Sequence, residues 1–254
     1  MQQPTLRNTN ADPWDSLKAY TAARIALGRT GTSVPLQESL AFRLAHAHAR
    51  DAVYSGLDLD KLLPELQRFH LSLHLLHSKA HDRTEYLQRP DLGRMLNQDS
   101  AERLKEERST ETDVAIILAD GLSAMAINEH ALPLLQLLLP ALPKAGFTLA
   151  PITLVEQARV AIAHEIGTLL RAKLSVIFIG ERPGLSSPDS LGAYFTYAPQ
   201  PGLTDEARNC ISNIRPGGLP YTFAAEKCLY LIREALRRQV TGVALKDEMK
   251  LLPG

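Results

Sequence analysis

Apolar and polar positions change rhythm near Asp113. Upstream, LQESLAFRLAHAHARDAVYSG (36–56) repeats apolar residues near i, i+3, i+4 and i+7 and stops at Gly56, which predicts an amphipathic helix. DKLLPELQRFHLSLHLLHSKAH (60–81) carries a second helical pattern after Pro64. NQDSAERLKEERSTET (97–112) reads as a charged helix running into a polar linker. Downstream, VAIILADG (114–121), FTLAPITLV (147–155) and LSVIFIG (174–180) are short apolar runs that predict buried strands. Helical stretches through Lys144 and over RVAIAHEIGTLLRAK (159–173) separate them, and a last long helix is predicted from about Tyr221 to Val240. Strands alternating with helices imply right-handed crossovers, so the expected class is α/β, a parallel-sheet domain preceded by a helical segment. The expected division is a flexible arm over 1–15, a helical, partner-facing segment over 16–110 and the sheet domain over 111–254.

In such sheets ligands bind beyond the carboxyl ends of the strands. Four places become candidates for one rim: ADGLS (119–123), the segment at Arg159 and Val160, GERPGLSSPDS (180–190) and NCISNIRPGG (209–218). The third is the most informative, because GERPGLSSPDSLG opens directly from a buried strand with three glycines, two prolines, three serines, Glu181, Arg182 and Asp189. A connection that long inside a compact domain is usually functional or disordered. Gly180, Gly184, Gly217 and Gly218 leave room for backbone to approach a ligand. Neither G-x-x-x-x-G-K-[ST] nor a G-x-G-x-x-G after the first strand is present, and there is no G-x-S-x-G. Nucleotide-motor, ordinary dinucleotide and α/β-hydrolase readings therefore lose ground.

Charge and cysteine content narrow the class further. Lys plus Arg equals Asp plus Glu at 28 each, so no basic excess points to nucleic acid. Two cysteines build neither a metal cage nor a disulfide framework, which fits a reducing compartment. The richest apolar stretch, ALPLLQLLLPALPKAGF, is cut by prolines 133, 140 and 143, so no membrane span is expected. MQQPTLRNTNADPWDSL lacks a positive-then-apolar leader, and a soluble intracellular protein is the expectation.

TAARIALGRTG, YLQRPDLGRML, ADGLSAMAI, GERPGLSSPDSLGAYFTYAP and RNCISNIRPGG, in this order, resemble the small (light) subunit of ethanolamine ammonia-lyase from about Tyr20 to Gly242. The N-terminus is shorter than in some members. The resemblance implies a Rossmann-like domain that closes over adenosylcobalamin at an interface with a large, barrel-shaped catalytic subunit. The enzyme converts ethanolamine to acetaldehyde and ammonia by radical rearrangement, in hetero-oligomers often housed in bacterial microcompartments. Residue by residue, it marks Val160, Glu181 and Cys210 as cobalamin contacts and places no catalytic or metal-binding residue in this chain. No D-x-H-x-x-G motif is present, so the base-on cofactor is expected.

Each residue also has a plainer reading: a core valine, a solvated loop carboxylate, a small buried hydrophobe. Arg159 and Arg182 could bond a phosphate or ribose, or pair with Glu165 and Asp189. Asp120 is expected to cap the helix that follows it. His46 and His48 point to different faces of one helix. His70, His74, His77 and His81 form one stripe if that segment is helical, better read as partner-facing or solvated than as a metal site. Arg24 and Arg29 are expected at an interface. A stand-alone α/β module binding a nucleotide-like ligand at the same rim is the alternative function.

Overall fold

A computed structural model describes residues 12–107 and 110–249. Most of the arm expected over 1–15 lies outside these residues. The elements run α1 (Leu36–Tyr54), α2 (Leu59–Gln67), β1 (Leu73–His77), α3 (Arg83–Gln88), α4 (Gln98–Glu106), β2 (Thr112–Ala119), α5 (Ala124–Lys144), β3 (Ile152–Glu156), α6 (Ile162–Leu169), β4 (Ala172–Gly180), β5 (Leu191–Tyr197), β6 (Asn209–Ile214) and α7 (Tyr221–Arg238).

The strands form one six-stranded sheet in the order β1-β3-β2-β4-β5-β6. β1, β3, β2 and β4 are parallel, while β5 runs antiparallel to β4 and β6 antiparallel to β5. The α/β class holds, with a parallel centre and an antiparallel edge. β2 and β4 are apolar on consecutive residues because both their faces are covered. Ile116, Leu118, Val176 and Phe178 enter one core with α2, α5 and α7. Ala115, Ile117, Ile177 and Ile179 enter a second with Leu104 of α4 and Ile162 and Ile166 of α6.

Local chemistry sets the helix starts. Asp58, Asp82 and Asn97 accept from the backbone N–H of Lys61, Glu85 and Ser100 at 3.1, 2.9 and 2.9 Å, capping α2, α3 and α4. α5 stays helical through Pro133, Pro140 and Pro143. Tertiary burial offsets the lost hydrogen bonds, since Leu134, Leu135, Leu138, Leu139 and Leu142 are all in the core.

Two sequence readings are corrected. The helical pattern after Pro64 ends at Gln67, and Leu73–His77 is instead the edge strand β1, paired in parallel with β3. On a strand, residues three apart face opposite sides, so the histidines form no stripe. His74 Nε2 lies 2.9 Å from a Glu107 oxygen without hydrogen-bond alignment, and His77 Nδ1 contacts Ser78 O at 2.8 Å. His70 sits in the left-handed turn between α2 and β1 with φ 57°. Second, NCISNI is not a rim loop but the edge strand β6, with Cys210 opposite Tyr194 of β5.

Candidate functional site

The rim where β2, β3 and β4 end is filled by the chain's own groups. Asp120, 3% exposed, accepts from the N–H of Gly121, Gln157 and Ala158 at 2.8, 2.8 and 2.9 Å and pairs with Arg83 at 3.4 Å. It staples the β2 exit to the β3 exit and does not cap α5. Ser123 occupies that N-cap and donates its hydroxyl to Pro188 O. Burial pushes the Asp120 carboxyl up to about 6 against these stabilising donors. Gly180 is needed for another reason than ligand access: a Cβ there would run into the carbonyls of Ser123 and Asp120. The space at Gly218 is likewise taken by Asn213.

An open cleft lies instead on the α6 face of the sheet, above the β5–β6 edge. Its volume is about 1130 Å³, above the ~300–1,000 Å³ typical of small-ligand pockets. Val160 and Ala161 enter from the start of α6, Tyr194 from β5, Cys210 from β6, and Pro201–Glu206 from the connection between those strands. Val160 and Cys210, far apart in sequence, thus line one wall. Glu181 is not among the residues lining this cleft; it lies beside Tyr194, across Gly192. A Cβ on Gly192 would come within 3.0 Å of both Glu181 and the Tyr194 ring, so only glycine fits between them.

Glu181 is committed to its own chain. Its carboxylate accepts from the hydroxyls of Ser190 and Ser212 and from the N–H of Asn213 at 3.1 Å, while its own N–H donates to Ser190 O at 2.9 Å. These bonds close the 181–190 loop and bind it to β6. The Cys210 thiol, exposed at the cleft wall, is pushed up by burial and then by Glu181. Burial, then Glu181 and Cys210, does the same to the Tyr194 phenol.

Arg159 stacks on the buried Tyr86 ring at 4.2 Å and donates to Tyr86 O at 3.3 Å rather than pairing with Glu165. Glu165 accepts from Leu96 N–H. Arg182 is exposed and makes no salt bridge among the described residues. Its suggested partner Asp189 bonds His130 Nε2 at 3.0 Å, and His130 Nδ1 contacts the Tyr221 hydroxyl at 2.8 Å, which ties the loop to α5 and α7. Arg24 reaches Leu185 O and lies 5.7 Å from the Phe42 ring, so the segment before α1 touches the same loop.

The cleft also holds residues that sequence reasoning passed over: Tyr194, His164, Arg94 and Arg208. Tyr194 carried a signal in the alternating GAYFTY run; the other three looked like ordinary helix and loop residues. His164 is buried, with Nε2 3.4 Å from Arg208, and burial followed by that cation brings it down to about 4. Its folded value lies below the ordinary 6.5, so its contribution is complete above about pH 6.5 and is lost as pH falls toward 4. His164→Gln is expected to flatten that part of the stability profile, read from urea midpoints between pH 4 and 7. An unchanged slope would show that His164 stays neutral in both states.

A family profile described as "Ethanolamine ammonia-lyase light chain (EutC)" matches residues 11–246. The chain is 58% identical over 243 residues to the ethanolamine ammonia-lyase small subunit of Azotobacter vinelandii, covering 94% of this chain and 90% of that one. It is 56% identical to the small subunit of Pseudomonas aeruginosa, covering 94% and 89%. It is 55% identical to that of Pseudomonas syringae pv. tomato, covering 95% and 85%.

Proposed function

The chain belongs to the ethanolamine ammonia-lyase light-chain family, and from that membership we propose that its cleft completes an adenosylcobalamin pocket whose other wall belongs to the large subunit. The observation that carries this reading is the meeting of Val160 and Cys210 in one large cleft, with Glu181 outside the lining but next to Tyr194, which lines it. The residues present fit a corrinoid. The cleft exceeds the size of a small-ligand pocket, and it presents an apolar wall beside hydroxyl, thiol and guanidinium groups. When bound, the cofactor supplies the radical through homolysis of its cobalt–carbon bond. This chain's part is to hold and shield it: Val160 packs against the ring, Cys210 makes a van der Waals or backbone contact, and Glu181 accepts from the ring's amides or hydroxyls. The base-on form is proposed, substrate binding and the rearrangement of ethanolamine are placed in the large subunit, and no catalytic or metal-ligating residue is assigned here. Among the described residues no helix is long and apolar enough to cross a membrane. A location inside a bacterial microcompartment belongs to this proposal and rests on the family alone.

Helix α1 supports the partner. Leu36, Leu40 and Leu44, one turn apart, are 74%, 54% and 58% exposed, and only Ala49 and Ala52 of the whole helix are buried. A leucine row exposed from Leu36 to Leu44 supports an interface with a partner on this helix. The reconstitution test mixes the chain with adenosylcobalamin and ethanolamine, with and without the large subunit, and follows ammonia. Release only when both chains and cofactor are present is expected; full activity without this chain overturns the reading. Leu40→Glu with Leu44→Glu is expected to weaken assembly about tenfold or more while moving the chain's own stability by under about 0.5 kcal/mol. Analytical ultracentrifugation checks the first and urea unfolding the second.

A further inference from the structure

The cleft is cationic in a way the contacts above do not use. Arg94, Arg159 and Arg208 enter it from three places: the turn before α4, the start of α6 and the approach to β6. They are held close together. Arg159 N–H donates to Gly93 O at 2.7 Å, which seats Arg94 beside it, and a Cβ on Gly93 would lie 2.9 Å from Arg159 Cγ. Burial brings the Arg208 guanidinium below its ordinary value against the raising effect of Tyr194, and Arg94 adds like-charge repulsion. Arg159 Nε is buried without a hydrogen-bond partner.

The acids of the cleft do not cancel this. Asp205 pairs with Arg208, but its side chain is 98% exposed against 9% for the arginine, and Glu206 is also exposed. Glu165 is held by Leu96 N–H at 2.8 Å. Arg208 is buried more deeply than Asp205 and Glu206, while Arg94 is exposed.

We infer that Arg94, Arg159 and Arg208, around the start of α6, form an anion subsite that takes the phosphodiester of the cobalamin nucleotide tail. The inference rests on the cofactor reading above and names the part of the cofactor that these arginines take. Planar guanidinium forks suit phosphate oxygens, and a single anion relieves the repulsion between Arg94 and Arg208 while satisfying the orphaned Arg159 Nε. Arg159, stacked on Tyr86, is pre-ordered for it.

The test uses the complex of both subunits and three probes that share the corrin ring: cobalamin, cobinamide phosphate and cobinamide, which lacks the phosphate. Binding is followed by the corrin absorption spectrum. Arg94→Gln and Arg159→Gln are each expected to weaken cobalamin and cobinamide phosphate about tenfold and to leave cobinamide within about twofold. Arg94 is exposed, so its replacement does not threaten the fold. Equal losses on all three probes, or none on the phosphate-bearing two, overturn the subsite. So does tight binding of inorganic phosphate by the arginines with no advantage of cobinamide phosphate over cobinamide. Val160→Trp separates the two levels. Loss of all three probes with Val160→Trp, but no phosphate discrimination in the arginine variants, sinks the subsite alone; unchanged binding with Val160→Trp sinks the cofactor reading and the subsite with it.

Discussion

Asp120→Ala is expected to cost about 3–5 kcal/mol at pH 7, a large share of the stability of a domain this size. Three backbone N–H groups at the buried ends of β2 and β3 lose their acceptor, and Arg83 loses its counter-charge. Each stranded donor alone costs on the order of 1–3 kcal/mol, and local rearrangement recovers part of the sum. The effect depends on pH with a defined sign. Burial raises the folded carboxyl from 3.8 to about 6, so its contribution is greatest below about pH 4 and falls as pH rises through 6. The gap between wild type and Asp120→Ala therefore narrows from pH 4 to pH 7. Urea unfolding across that range measures it; a loss below about 1 kcal/mol, or a gap that widens with pH, would show that the rim is held by other contacts.

The same residue shows what the sequence could convey. An Asp after a buried strand and before a helix is the usual capping pattern, and nothing local says that its acceptors face Gln157 and Ala158 instead. β2, β3 and β4 were legible because burial on both faces leaves unbroken apolar runs. β1 was not: LHLLH is too short to show a period, and it follows a real helix whose pattern runs on into it. β5 and β6 follow glycine-rich or charged loops that dominate the local composition, and their antiparallel pairing is a tertiary fact. That pairing sets Cys210 opposite Tyr194 and so makes the cleft. Val160, Glu181 and Cys210 could be marked by resemblance, but the arginines beside them could not, since a charge on a helix start or a loop reads first as solvated. The glycines show the converse, because Gly180 and Gly218 admit the protein's own backbone and side chains rather than a ligand.

Glu181→Ala is expected to raise the apparent KM for adenosylcobalamin about a hundredfold in the two-subunit complex, and to move the ethanolamine KM by less than about twofold. The carboxylate holds Ser190, Ser212 and the Asn213 N–H, so its loss frees the 181–190 loop from β6 as well as removing an acceptor beside Tyr194. A hydrogen bond to a charged group contributes roughly 1.5–3 kcal/mol, and losing one near the top of that range gives about that hundredfold. Glu181→Gln keeps the shape and one acceptor, but its NH2 group must face a backbone donor or a hydroxyl, so an intermediate loss of about tenfold is expected. Ethanolamine binding is spared if the substrate pocket belongs to the other chain. Cofactor titration and substrate titration of the same preparations decide the matter. Parallel rises in both KM values would mean that Glu181 supports the subunit interface as a whole, and no rise in either would take it out of the pocket. A rise for cofactor alone leaves the carboxylate where its bonds put it, at the joint between the 181–190 loop and the strand that carries Cys210.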